Sequence, residues 1–99
     1  MIIELKSDLI NNYLQVNDKI LVVFGSSYCK HCMSLKPELE KLAKEYPERE
    51  IILVDCDKFP LSADLYNVES YPTVIYFKDQ LPVQTKITNN INKIRKMWN

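Results

Sequence analysis

The segment Ile20-Leu21-Val22-Val23-Phe24 constrains the fold more than any other part of this chain. It is a continuous apolar run closed by Gly25-Ser26-Ser27, and such a run predicts a strand buried on both faces, as in the middle of a parallel sheet. A long helix is predicted next, from about Cys29 to Tyr46. Leu35, Leu39, Leu42, Ala43 and Tyr46 recur there at helical spacing, while Glu40 and Lys44 form an i,i+4 pair on the wet side. Pro37 falls inside this helix and predicts a kink, because it lacks the backbone donor and its ring crowds the preceding turn. Ile51-Ile52-Leu53-Val54 is a second buried strand. Strand, helix and strand make a βαβ unit, right-handed and parallel by strong default.

The flanking segments complete the map. Ile2 to Leu5 predicts a short first strand, and Ser7 an N-cap for a helix from Asp8 to about Val16, with Ile10, Tyr13 and Leu14 on one face. A short helix is expected over Leu61–Tyr66. Thr73–Phe77 and Val83–Ile87 are strands joined so closely, through Lys78-Asp79-Gln80, that they must be antiparallel. The chain then ends in a helix capped by Asn89 or Thr88, with Ile91, Ile94 and Trp98 facing inward. The order β-α-β-α-β-α-β-β-α implies an α/β fold, a central mixed sheet of four to five strands flanked by helices on both faces. With 99 residues and no repeat, linker or low-complexity stretch, residues 1–99 are expected to form a single domain.

Charge and cysteine usage narrow the function. Thirteen basic and thirteen acidic residues cancel, which leaves no electrostatic footprint for nucleic acid or an anionic membrane surface. The opening Met1-Ile2-Ile3-Glu4-Leu5-Lys6 lacks the basic-then-apolar pattern of a secretory signal, and no apolar run approaches the roughly 20 residues that span a bilayer. A soluble, cytoplasmic monomer is the expectation. Three cysteines, Cys29, Cys32 and Cys56, are too few and too odd in number for a disulfide scaffold. In a reducing compartment, closely spaced cysteines are more often catalytic or metal-binding.

Tyr28-Cys29-Lys30-His31-Cys32 sits where the buried strand meets the long helix. A cysteine in a helix's first turn faces unpaired backbone donors and the positive end of the helix dipole. Both favour thiolate over thiol and lower a cysteine pKa from about 8.5 into the range of roughly 3.5–7.5. Lys30 and His31 add positive charge beside Cys29, and His31 supplies a further donor to a thiolate if its ring turns back. Cys29 would attack a partner's disulfide to give a mixed disulfide, and Cys32, one turn further in, would resolve it. Two plainer readings compete: inert helix cysteines, or half of a zinc site. Zinc takes four ligands, Cys56 and His31 are the obvious further candidates, and His31 lies awkwardly between the two cysteines; no metal is expected. Cys56 reads as a small buried hydrophobe, and Asp55 and Asp57 as solvation at a strand end.

The run Phe24–Cys32 with its C-x-x-C, then Pro37, then Tyr71-Pro72-Thr73 before an apolar strand resembles the thioredoxin family over nearly the whole chain. The resemblance implies the thioredoxin fold, a redox-active Cys29–Cys32 disulfide in place of any cofactor, and a cis Pro72 packed against the cysteines. It also implies that the Tyr71 backbone pairs with an extended client peptide, with Tyr28, Lys30, His31, Tyr71 and Thr88 rimming the contact surface. Departures from the family pattern are specific. Thioredoxins usually carry Trp at Tyr28 and Gly-Pro at Lys30-His31; a histidine before the second cysteine resembles disulfide isomerases and the periplasmic bacterial oxidant, and implies a less reducing couple. Val23 stands where the family's buried acid normally helps the second cysteine lose its proton, and Leu53 where a lysine often partners that acid. Water or His31 is left to assist Cys32.

Protein disulfide reduction or exchange follows as the expected activity, within electron transport and cell redox homeostasis. The chain would carry electrons from an upstream thiol reductase or glutathione system to disulfide-containing client proteins. Glutaredoxin-like, oxidant or isomerase activity, and service as a thioredoxin-like accessory binding subunit, are the alternatives. Glutaredoxins place the motif nearer the start and use a Gly-Gly stretch after the hairpin, whereas Gly25 is the one glycine here.

Overall fold

Alternation along the central strands builds this molecule around two apolar layers. In the computed structural model, which describes residues 1–98, β2 (Lys19–Gly25) sends Ile20, Val22 and Phe24 to one face of the sheet and Leu21 and Val23 to the other. Because both faces are covered, all five apolar residues of the run are buried. The elements appear in the expected order: β1 (Ile2–Glu4), α1 (Ile10–Tyr13), β2, α2 (Lys30–Glu45), β3 (Glu50–Asp55), α3 (Pro60–Leu65), β4 (Thr73–Lys78), β5 (Leu81–Ile87) and α4 (Ile91–Met97). They form one mixed sheet of strand order β1-β3-β2-β4-β5. The pairs β1·β3 and β2·β3 are parallel, β2·β4 and β4·β5 antiparallel. The pairing of Phe24 with both Val54 and Thr73 fixes the register at the functional end.

Helices α1 and α3 cover one face, burying Ile10 and Ala63 against Val22, Phe24, Ile52, Val54, Ile75 and Phe77. Helices α2 and α4 cover the other with Leu35, Leu39, Leu42, Ala43, Ile94 and Met97. Trp98, just past α4, is 1% exposed, with its ring edge-on to Tyr46 at 5.1 Å between centroids.

Two predicted helix starts are corrected. The first helix does not run from Asp8 to Val16 under a Ser7 cap; it is the single turn Ile10–Tyr13, without a side-chain cap. Asp8 is engaged elsewhere: its carboxylate accepts the N–H groups of Ser62 at 2.7 Å and Leu61 at 3.0 Å. Those are the otherwise unpaired donors in the first turn of α3, so Asp8 caps a helix 53 residues further on. At the other end of the chain, neither Thr88 nor Asn89 caps α4. Asn90 does, its Oδ1 accepting from Asn92 and Lys93.

Candidate active site

The C-terminal ends of β2 and β3, the N-terminal end of β4 and the C-terminal end of β5 all reach the same edge of the sheet, because β2·β3 is parallel while β2·β4·β5 is antiparallel. The loops that leave those ends carry the residues singled out in the sequence. From β2 comes 25–29 with both serines and Tyr28, from β3 comes 56–59, into β4 leads Tyr71-Pro72, and from β5 comes 88–90.

Cys29 is the N-cap of α2, with an extended backbone conformation, and its Sγ accepts the N–H of Cys32 at 3.2 Å. The helix's first turn thus spends one of its unpaired donors on the Cys29 sulfur. Cys29 and Cys32 are joined as a disulfide with Cα atoms 5.2 Å apart, and both are half-buried. The loop before them is held from β3. Ser27 Oγ donates to Asp55 Oδ2 at 2.7 Å, Ser26 Oγ donates to Asp57 Oδ2 at 2.5 Å, and Ser26 in turn accepts the N–H of Tyr28 at 3.2 Å. Burial would raise Asp55, but the Ser27 hydroxyl, the N–H groups of Asp57 and Lys58 and the Lys58 charge outweigh it and hold the carboxyl below the ordinary carboxylate range. Asp55 and Asp57 therefore do more than solvate a strand end; they anchor the redox loop.

Lys30 is exposed and Tyr28 is 88% exposed. His31 is exposed too, and its ring lies against the 88–90 loop, with Nδ1 3.2 Å from Asn89 Nδ2. The Tyr71–Pro72 peptide bond is cis and Pro72 is buried. Thr88 is half-buried, and its Oγ1 accepts the N–H of Asn90 at 3.0 Å. Tyr71 is partly exposed, and its hydroxyl lies on the Cys56 side of the loop, where it favours ionisation of that thiol. Cys56 is buried and unpaired, as its sequence context implied, with its N–H bonded to the Gly25 carbonyl at 2.8 Å. Burial pushes its thiol up to about 11, the Asp55 and Asp57 charges adding to the rise and Tyr71 opposing it.

A cleft of about 510 Å³ opens behind the pair, lined among others by Val23, Gly25, Cys32, Lys36, Leu53 and Asp55. Val23 and Leu53 are register partners across β2·β3, so the positions noted above as lacking an acid and a lysine form one apolar wall of this cleft. The cleft reaches the Cys32 side of the disulfide. Sequence reasoning missed Asn89 as a site residue and missed the part Gly25 plays beneath Cys32. The first was visible only as a candidate cap, the second only as the end of an apolar run.

A family model described as Thioredoxin matches residues 1–98. The thioredoxin of Chlamydia trachomatis serovar D is 41% identical over 68 residues, which cover 69% of this chain and 67% of that protein. The protein disulfide-isomerase of Humicola insolens is 34% identical over 79 residues, 78% of this chain but only 16% of that much longer protein. Among solved structures, Fasciola hepatica thioredoxin superposes with a TM-score of 0.85 at 32% identity, covering 89% of this chain and 86% of that one.

Proposed function

The chain belongs to the thioredoxin family of thiol–disulfide oxidoreductases, and we propose that Cys29 is its attacking sulfur and Cys32 its resolving sulfur. The observation that carries the assignment is the disulfide itself, set between the N-cap and the first turn of α2. In the reduced protein, the helix donors and the Lys30 charge favour a Cys29 thiolate. That thiolate attacks one sulfur of a client disulfide. A Cys29–client bond forms, the client's S–S bond breaks, and its second sulfur leaves as a thiolate that takes up a proton. Cys32 gives its proton to water in the cleft and attacks Cys29. The Cys29–Cys32 bond forms, the mixed disulfide breaks, and the client's remaining sulfur leaves and is protonated. Two electrons have passed from the pair to the client.

The loops around the pair supply the docking surface. Tyr28, Lys30, His31 and Thr88 rim it, and the backbone at Tyr71-Pro72 receives an extended client segment as an added strand. Residues 1–99 act as one domain and as a monomer in the cytoplasm. An upstream thiol reductase or the glutathione system reduces the Cys29–Cys32 disulfide, which takes the place of a cofactor.

The reduction potential of the pair tests the direction, read by equilibration in glutathione buffers and thiol trapping. A value near or below about −240 mV marks a cytoplasmic reductant, and one above about −200 mV marks an oxidant or isomerase tuned by Lys30 and His31. The roles are tested by substitution. Cys32→Ser should accumulate mixed disulfides with clients through Cys29, whereas Cys29→Ser should form none and lose disulfide reduction. Retained reductase activity in Cys29→Ser would overturn the assignment.

A further inference from the structure

His31 is engaged by a residue that thiol exchange does not require. Its Nδ1 lies 3.2 Å from Asn89 Nδ2, across 58 positions of sequence. The distance is that of a hydrogen bond between the Asn89 side-chain amide and the ring nitrogen. The Asn89 side chain is presented by a braced loop. On one side Thr88 Oγ1 accepts the Asn90 N–H at 3.0 Å, and on the other Asn90 Oδ1 accepts from Asn92 and Lys93 at 2.9 and 3.2 Å. Helix α4 is itself fixed by burial of Ile94 and Met97. A turn and a helix cap thus hold Asn89 opposite the one histidine of the chain.

This contact competes with another. In the disulfide the Cys29 sulfur accepts from the Cys32 N–H, and the thiolate formed on reduction would be further stabilised by an imidazole turned toward it. A ring tied through Nδ1 to the 88–90 loop must break that bond, and lose its partner, before it can reorient freely. We propose that Asn89 is a positioning residue that restrains His31, so that the pair is more reducing than its Lys-His insert alone would make it. The proposal rests on the redox reading of Cys29–Cys32. It gives the 88–90 loop a part in setting the potential, although the loop lies outside the motif in sequence.

The test is a double-mutant cycle on the potential. Wild type, Asn89→Ala, His31→Ala and the double variant are equilibrated in glutathione buffers near neutral pH, with ¹⁵N NMR of the His31 ring as a second readout. One exposed hydrogen bond is at stake, so Asn89→Ala should shift the equilibrium about threefold toward the dithiol, roughly 14 mV less reducing. The Nδ1 resonance should move as its hydrogen-bond partner is lost. In the His31→Ala background the Asn89 substitution should leave the potential where it was. An unmoved or more reducing Asn89→Ala, or the same shift without His31, overturns the restraint. Failure of the wild-type pair to form a disulfide overturns both the restraint and the redox reading, whereas a normal disulfide with an unmoved potential overturns the restraint alone.

Discussion

Gly25 passes so close beneath Cys32 that a Cβ added to it would lie 3.0 Å from the Cys32 sulfur and 3.2 Å from the Cys32 Cβ. The glycine is not needed for backbone conformation, since no glycine here has a positive φ. It is needed for space, at the position where β2 ends beside Asp55 of β3 and where the first turn of α2 presses down on the sheet.

Gly25→Ala therefore forces the start of α2 away from β2 or distorts the disulfide. Overpacking of this kind costs about 1–3 kcal/mol. The oxidised variant should show a lower guanidinium midpoint than wild type with a similar slope. An unchanged midpoint would mean that α2 shifts outward freely and that its seat on Gly25 is not a constraint.

The acid limb of stability should depend on Asp55. Its carboxyl ionises below the ordinary value in the folded chain, through Ser27 and the N–H groups of Asp57 and Lys58 acting against burial. The folded value is the lower one, so the contribution is present above the unfolded pKa of about 3.9 and is lost as pH falls through the folded value. Urea midpoints taken from about pH 6 down to about pH 3 should fall less steeply for Asp55→Asn than for wild type, with Ser27→Ala between them. Parallel curves for all three proteins would remove Asp55 from the account.

What could be read from the sequence was whatever repeats at short range. The apolar run 20–24, the helical spacing of Leu35, Leu39 and Leu42, and the C-x-x-C at their junction determined the element order and the redox pair without help from distant residues. Readings that depended on which of several equivalent polar groups does a job went astray. Ser7 and Asp8 both looked like starts of a first helix, but Asp8 is taken by the donors of α3, and a segment without its cap keeps only one turn. Thr88, Asn89 and Asn90 are all chemically able to cap α4. The choice falls on Asn90 because Asn89 faces His31 and Thr88 braces the turn. The need for glycine at 25 is a matter of contact between a strand and a helix, invisible until the two are packed.

Cys56 should behave unlike Cys29. Its thiol is buried and its pKa lies at about 11, against an ordinary 9.0, so near pH 8 only about a thousandth of it is thiolate. In reduced native protein, iodoacetamide should label Cys29 quickly and leave Cys56 unmodified until denaturant is added. The alkaline limb carries the same information. A raised folded value gives stability that is complete below about pH 9 and lost as pH climbs toward about 11, so Cys56→Ala should flatten the decline in that window. Rapid native labelling of Cys56 would show that Tyr71 and the strand end do not shield it.

Trp98 is the single tryptophan and lies far from the disulfide. It packs edge-on against Tyr46, the C-cap of α2, under the Arg49 guanidinium 5.7 Å from its ring centre, and its carbonyl accepts from Arg49 Nη1. The cysteines are at the opposite end of a 16-residue helix, about 24 Å away at 1.5 Å per residue. Tryptophan emission should therefore follow unfolding and stay unchanged when the Cys29–Cys32 disulfide is reduced. Trp98→Ala removes a ring buried to 1% exposure and should cost about 3–5 kcal/mol. Trp98→Phe should cost clearly less, because the indole N–H is buried without a partner among the described residues and no hydrogen bond is lost with it. A redox-dependent emission change of the folded protein would require the two ends of α2 to be coupled, and would show that reduction is felt beyond the loops at one edge of the sheet.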